Sequence, residues 1–227
     1  MTPTAYELLR TTTERLAPEA DANPLVPLVA DGTAHPRTLA VLALEQSHVI
    51  PADQRSFRHL AQRAAASGDA ESTAFFDALA DGESLAAERL APLLDACAVS
   101  KAEAETYEPQ AGCQAYPAYV AWLALNGEPA DVALALTANF ASWGGYCATI
   151  ARALREHRGF SDEACGFFDL FAEPAPDLDR HALAAVQAGL DRGRISAVHL
   201  RYGRLVQRYE AMFWQTLADG DAVARGR

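Results

Sequence analysis

Gln207-Arg208-Tyr209-Glu210-Ala211-Met212-Phe213-Trp214 sets one carboxylate among the bulkiest apolar residues of the chain. Val198, Leu205, Tyr209, Met212, Phe213 and Leu217 recur at spacings of three, four and seven, which predicts a helix from about Ile195 to Leu217. Two readings of Glu210 stay open at this level. In the first it lies on the solvated edge of the helix, bonded to Gln207 one turn back or to water. In the second it points inward, where an isolated carboxylate is strongly disfavoured and needs a partner or a raised pKa.

Working outward, proline and glycine divide the remaining chain into helical segments. One runs from about Pro3 to Leu16. Asn23-Pro24-Leu25-Val26 then leads into an Asp31-Gly32-Thr33 turn, and a long helix opens at His35-Pro36 and reaches Ala66. Pro51 falls inside that pattern, so a kink or break is expected there, with Ile50 as its boundary. Further segments span Glu71 to Cys97, interrupted by Gly82, then Tyr116 to Leu125 and Val132 to Leu154. A shorter helix follows a Ser161-Asp162-Glu163 cap. After the Glu173-Pro174-Ala175-Pro176 loop comes Leu178 to Leu190. No stretch alternates as a strand would, and no repeat or linker stands out. The expectation is an all-α, single-domain multi-helix bundle over residues 1–220, with 221–227 as a C-terminal tail.

Composition limits the function classes. Half of the 227 residues are hydrophobic and the formal net charge is −11. Lys101 is the only lysine and the arginines are scattered, so no basic stripe exists for a phosphate backbone and no nucleic-acid partner is expected. Cys97, Cys113, Cys147 and Cys165 are too far apart for a CxxC motif and read as free thiols of a reduced, cytoplasmic protein. No leader and no membrane span is read, so no membrane partner is expected either.

Three segments together resemble the TenA family, the thiaminase II group within the haem-oxygenase-like helical folds. They are Asn23-Pro24-Leu25-Val26 with Val29-Ala30-Asp31-Gly32-Thr33; Cys113-Gln114-Ala115-Tyr116-Pro117-Ala118-Tyr119 with Gly127 eight residues later; and Tyr209-Glu210 with Phe213-Trp214. The resemblance runs from about residue 20 to 218. It implies a buried pocket for an aminopyrimidine-like or other flat heterocyclic compound. In members with thiaminase activity, a cysteine nucleophile attacks, an aspartate holds the aminopyrimidine, and tyrosines and a glutamate handle the ring and its protons.

Carried over residue by residue, the glutamate is Glu210 and a pocket tyrosine is Tyr116. The aspartate falls at Gln46, or at Glu45 if the helix is offset by one. The nucleophile position is Asn139 when counted from Tyr116 and Gly127, and Trp143 when counted back from Ile150 to Leu154; neither can attack. Cys147 shares roughly their face one turn further on, so it reads either as a shifted nucleophile or as a core thiol beside Gly144 and Gly145. A further family tyrosine is replaced by Phe171. The set of candidate residues is therefore Glu210 and Cys147 for catalysis, with Gln46, Glu45, His48, Tyr116, Asn139, Trp143 and Phe171 lining the ligand.

The resulting expectation is a TenA-like protein that acts on or binds such a compound without the usual cysteine, in which ordinary thiaminase II activity is not expected. The alternative is a catalytically silent ligand-binding or interaction protein. A further alternative is a haem-oxygenase-like di-iron oxidase, for which Glu45 and His48 have a suitable i, i+3 spacing but lack partner ligands on other helices. His35, His48, His59, His157, His181 and His199 mostly have polar neighbours, so no haem ligand emerges. No metal and no other cofactor is expected. By resemblance, the bundle pairs into a homodimer or homotetramer.

Overall fold

The computed structural model describes residues 3–19 and 22–226. Among these residues there are ten helices and no strand: α1 (Ala5–Arg15), α2 (Leu25–Ala30), α3 (Pro36–Ala66), α4 (Ala70–Ala96), α5 (Lys101–Thr106), α6 (Ala111–Asn126), α7 (Pro129–Arg158), α8 (Asp162–Ala172), α9 (Pro176–Asp191) and α10 (Val198–Arg225).

Local chemistry fixes most of the helix ends. Thr4 and Glu7 form a reciprocal capping box at α1, and the Asp69 and Ser161 side chains accept from the Ser72 and Ala164 amides at the starts of α4 and α8. Gly159 ends α7 in the left-handed conformation, φ 66°, which a residue with a side chain rarely adopts.

The expected break at Pro51 does not occur, and α3 is continuous over 31 residues. Proline removes one amide donor and crowds the carbonyl four residues back. Burial offsets this cost, because Leu42, Val49 and Ile50 before Pro51 and Asp53, Phe57 and Leu60 after it all face the interior. Pro92 and Pro117 are likewise carried inside α4 and α6. Gly82 does not interrupt α4, and α6 starts five residues ahead of Tyr116.

The last helix continues through Arg225, so residues 221–225, expected as a tail, are helical; Arg227 lies outside the described residues. The reason is Asp221. It is fully enclosed, accepts from the His35 amide at 2.6 Å and the Thr38 hydroxyl at 2.9 Å, and pairs with Arg225 at 2.7 Å. A carboxylate of α10 thus caps the start of α3.

Two large apolar cores and two smaller clusters, around Leu134 and around Leu44, fill the bundle. Of the large cores, one joins Leu42, Ile50, Leu90, Cys147, Ile150, Phe167, Phe213 and Trp214; the other joins Phe57, Leu60, Phe75, Phe76, Leu123, Leu136 and Val206. Tyr116 packs against both. α3 packs along α4, while α10 lies against α6 and α7. No helix among the described residues is long and apolar enough to cross a membrane.

Candidate functional site

Glu210 lies on the inner face of α10 and is 8% exposed. Asn139 of α7 donates through Nδ2 to its Oε2 at 2.7 Å, and Trp214, one turn along α10, donates through Nε1 to its Oε1 at 3.2 Å. Burial pushes the Glu210 pKa up, and the two donors pull it partly back. The inward reading of this residue therefore holds.

An aromatic wall stands beside the carboxyl. Trp143 lies 5.7 Å from Trp214 with the planes inclined at 34°, and meets Phe171 edge-on at 5.7 Å. Tyr146 meets Trp214 edge-on at the same separation. Gly144 lets α8 come close enough to bring Phe171 here, since a Cβ at that position would sit 2.8 Å from the Phe171 carbonyl oxygen. Tyr146, Gln207, Glu210 and Trp214 share a cavity of about 10 Å³ with Pro18 and Ala22. That volume holds about one water, so a ligand requires side chains to move. Asn139 Oδ1 and Gln207 Nε2 are enclosed and have no hydrogen-bond partner.

The other expected residues separate into groups. Tyr116 turns its hydroxyl into the interior, where the charges of Asp53, Glu210 and Glu83 add to burial in pushing its pKa far up. Cys147 is fully buried in the core, and burial followed by the Glu210 charge pushes its thiol well above the usual range. That is the opposite of what activates a thiolate, and it agrees with the core-thiol reading. Gln46 is buried on α3.

Glu45 is committed to structure. Its Oε1 accepts from the Tyr107 hydroxyl at 2.6 Å and the Gln110 amide at 2.7 Å, and its Oε2 accepts from Gln114 at 2.6 Å. His48 lies 6.1 Å from the Tyr107 ring, in the same neighbourhood. Among the described residues no group of three or more His, Cys, Asp or Glu is arranged to hold a metal ion. The Glu45–His48 pair therefore has no partner ligands there.

Asp53 and Glu83 were not foreseen. Asp53 is 3% exposed and its Oδ1 has no hydrogen-bond partner. Burial pushes its pKa up to about 8, opposed by the Tyr116 hydroxyl. Glu83 is driven up by burial first and by the Asp53 charge second. A periodic signal for both exists. Ile50, Asp53, Phe57 and Leu60 lie on one stripe of α3, and Phe76, Leu79, Glu83, Ala86 and Leu90 on one stripe of α4. The charges of Asp53, Glu83 and Glu210, carried by three helices, all act on the Tyr116 hydroxyl.

No family model matches the chain, and no curated protein matches its sequence. Solved structures do match its shape. The TenA homologue protein from P. horikoshii OT3 superposes with a TM-score of 0.68 at 16% identity, over 96% of this chain and 100% of that one. A domain of unknown function with a haem-oxygenase-like fold from Shewanella denitrificans OS217 gives 0.65 at 12% identity, over 96% and 90% of the two chains. With its helix order and these superpositions, the chain has the all-α, haem-oxygenase-like fold of TenA-like proteins.

Proposed function

We propose that this chain is a TenA-like protein that takes an aminopyrimidine-like or similar flat nitrogen heterocycle beside Glu210. The observation that carries this reading is the buried Asn139–Glu210 pair next to the Trp143, Tyr146, Phe171 and Trp214 rings, with Asn139 Oδ1 left without a donor. Aromatic walls suit a flat ring. A carboxyl and an amide oxygen suit the ring nitrogen and exocyclic amine of an amino-heterocycle, which together offer an acceptor and donors on one edge.

The chemistry available is proton transfer. A carboxyl raised above its ordinary range by burial can give a proton to a ring nitrogen and take it back. Covalent attack has no support, since Asn139 is the α7 residue that meets Glu210 and the nearby Cys147 thiol is held protonated. Hydrolysis of thiamin through a cysteine adduct is therefore not part of the proposal.

A thermal-shift screen of aminopyrimidines, thiamin fragments and quinones against the purified protein tests the reading. Aminopyrimidines should raise the melting temperature of the wild type, since a ligand that binds only the native state stabilises it. Glu210→Gln should lose that response. A response confined to quinones, or one that Glu210→Gln leaves intact, would refute it.

A further inference from the structure

We propose that Gln207 is the residue by which this site selects its ligand: its amide N–H donates to a second ring nitrogen of the heterocycle whose amino edge meets Glu210. The inference rests on the pocket reading above and narrows its occupant from a flat amino-heterocycle to an amino-diazine.

Gln207 and Glu210 stand one turn apart on α10 and line the same cavity, together with Tyr146 and Trp214. A spacing of three residues would allow the two side chains to bond. They do not. The Glu210 oxygens are turned to other donors, Oε2 to Asn139 and Oε1 to Trp214. Gln207 Nε2 is enclosed and finds no acceptor, neither Glu210 nor the Tyr146 hydroxyl. Buried donors are nearly always paired in native proteins. Here an unpaired one lies on the wall that carries the buried carboxyl, which points to an acceptor on the ligand.

Three residues of helix rise by about 4.5 Å, so one flat ring laid along α10 reaches both side chains. Its amine and the adjacent ring nitrogen answer Glu210 and the free oxygen of Asn139, as proposed above. The ring position facing Gln207 then needs a lone pair. A ring carbon there leaves the amide unpaired beneath the bound ligand, which weakens binding by about tenfold for a neutral donor. The aromatic wall cannot make this distinction, because pyridine and pyrimidine rings have nearly the same shape. A polar group that must be satisfied can.

4-Aminopyrimidine and 2-aminopyridine both carry an amine beside a ring nitrogen, and only the first has a second ring nitrogen. Dissociation constants for both are measured by isothermal titration at pH 7.5 with wild type, Gln207→Met and Glu210→Gln. Methionine keeps the length and helix propensity of glutamine and removes the donor. The probes differ in basicity, but that difference cancels when their affinity ratio is compared between proteins. The ratio favouring 4-aminopyrimidine should be about tenfold larger in wild type than in Gln207→Met, with 2-aminopyridine bound about equally by both. An equal ratio in the two proteins, whether or not binding weakens overall, overturns the proposal. Gln207→Leu supplies the same comparison if Gln207→Met does not fold. An equal ratio with both probes still weakened by Glu210→Gln would show that only the role of Gln207 has failed. No binding of either probe to wild type would remove the pocket as well.

Discussion

Asn139 of α7 and Glu210 of α10 meet in the interior through a single hydrogen bond, Nδ2 to Oε2, at 2.7 Å. The bond leaves the amide oxygen free, and burial holds the carboxyl above its ordinary pKa. Glu210→Gln keeps the shape of this contact. The Asn139 amide can turn so that its free oxygen accepts from the new side chain, so the fold should survive with a stability change within about 1 kcal/mol. Chemical denaturation of the two proteins at pH 7 measures this, and a loss of several times that size would show that the charge itself holds α7 to α10.

The buried acids should make stability depend on pH in a particular direction. The pKa of Asp53 is raised from 3.8 to about 8 on folding, so in that window the native state holds a proton that the unfolded chain has lost. Stability is then fully present below about pH 4 as far as this group is concerned, and it is lost as pH rises through about 8. Asp53→Asn should flatten this decline and be more stable than wild type at pH 8. Urea midpoints at pH 5, 6.5 and 8 check it; a wild type whose stability climbs from pH 5 to 8 while the variant's does not would contradict the assignment.

Glu210 was legible in the sequence because a lone carboxylate stands out among Tyr209, Phe213 and Trp214. Asp53 and Glu83 were hidden by their neighbours. Pro51-Ala52-Asp53-Gln54-Arg55 and Asp81-Gly82-Glu83-Ser84 read as polar runs at a break or on a wet face, and only the seven-residue repeats through Ile50 and Phe57, or Phe76 and Leu90, mark them as inward. The fold was legible from the spacing of apolar residues, whereas continuity through Pro51 and the length of α10 were not. Both depend on contacts between helices distant in sequence, such as Asp221 with His35, which no local pattern carries. The role of Glu45 was obscured in the same way, because its partners Tyr107, Gln110 and Gln114 lie more than sixty residues away.

That anchoring role has a measurable cost. Glu45→Ala leaves the donors of Tyr107, Gln110 and Gln114 without their shared acceptor, and should destabilise the protein by about 3 kcal/mol. Denaturant unfolding tests it. A loss below about 0.5 kcal/mol would mean that the connection from α5 to α6 is held by other contacts.

Cys147 should behave as a core residue. Iodoacetamide at pH 7.5 should leave it unmodified in the folded protein, because its sulfur is enclosed and protonated. Peptide mapping after native and denatured labelling separates the two states. Rapid native alkylation at this one position would restore the shifted-nucleophile reading.

Association in solution is expected through α6 and α10. α6 carries no charged residue, and Trp122, Leu125 and Met212 are 46%, 66% and 46% exposed. Such apolar surface on neighbouring helices suits contact with a second copy. Light scattering at micromolar concentration should give a mass of at least twice 24.3 kDa, and a strict monomer would count against a dimer or tetramer.

On the proposed reading Glu210 marks a ligand site rather than a buried structural pair. Isothermal titration of aminopyrimidine into wild type and Glu210→Gln tests it most directly. Saturable heat with one site per chain is expected for the wild type, and at least a tenfold weaker affinity for the variant, the scale of one lost charge-assisted hydrogen bond of about 1.4 kcal/mol. No saturable heat with wild type, or equal affinities for the two proteins, would contradict it.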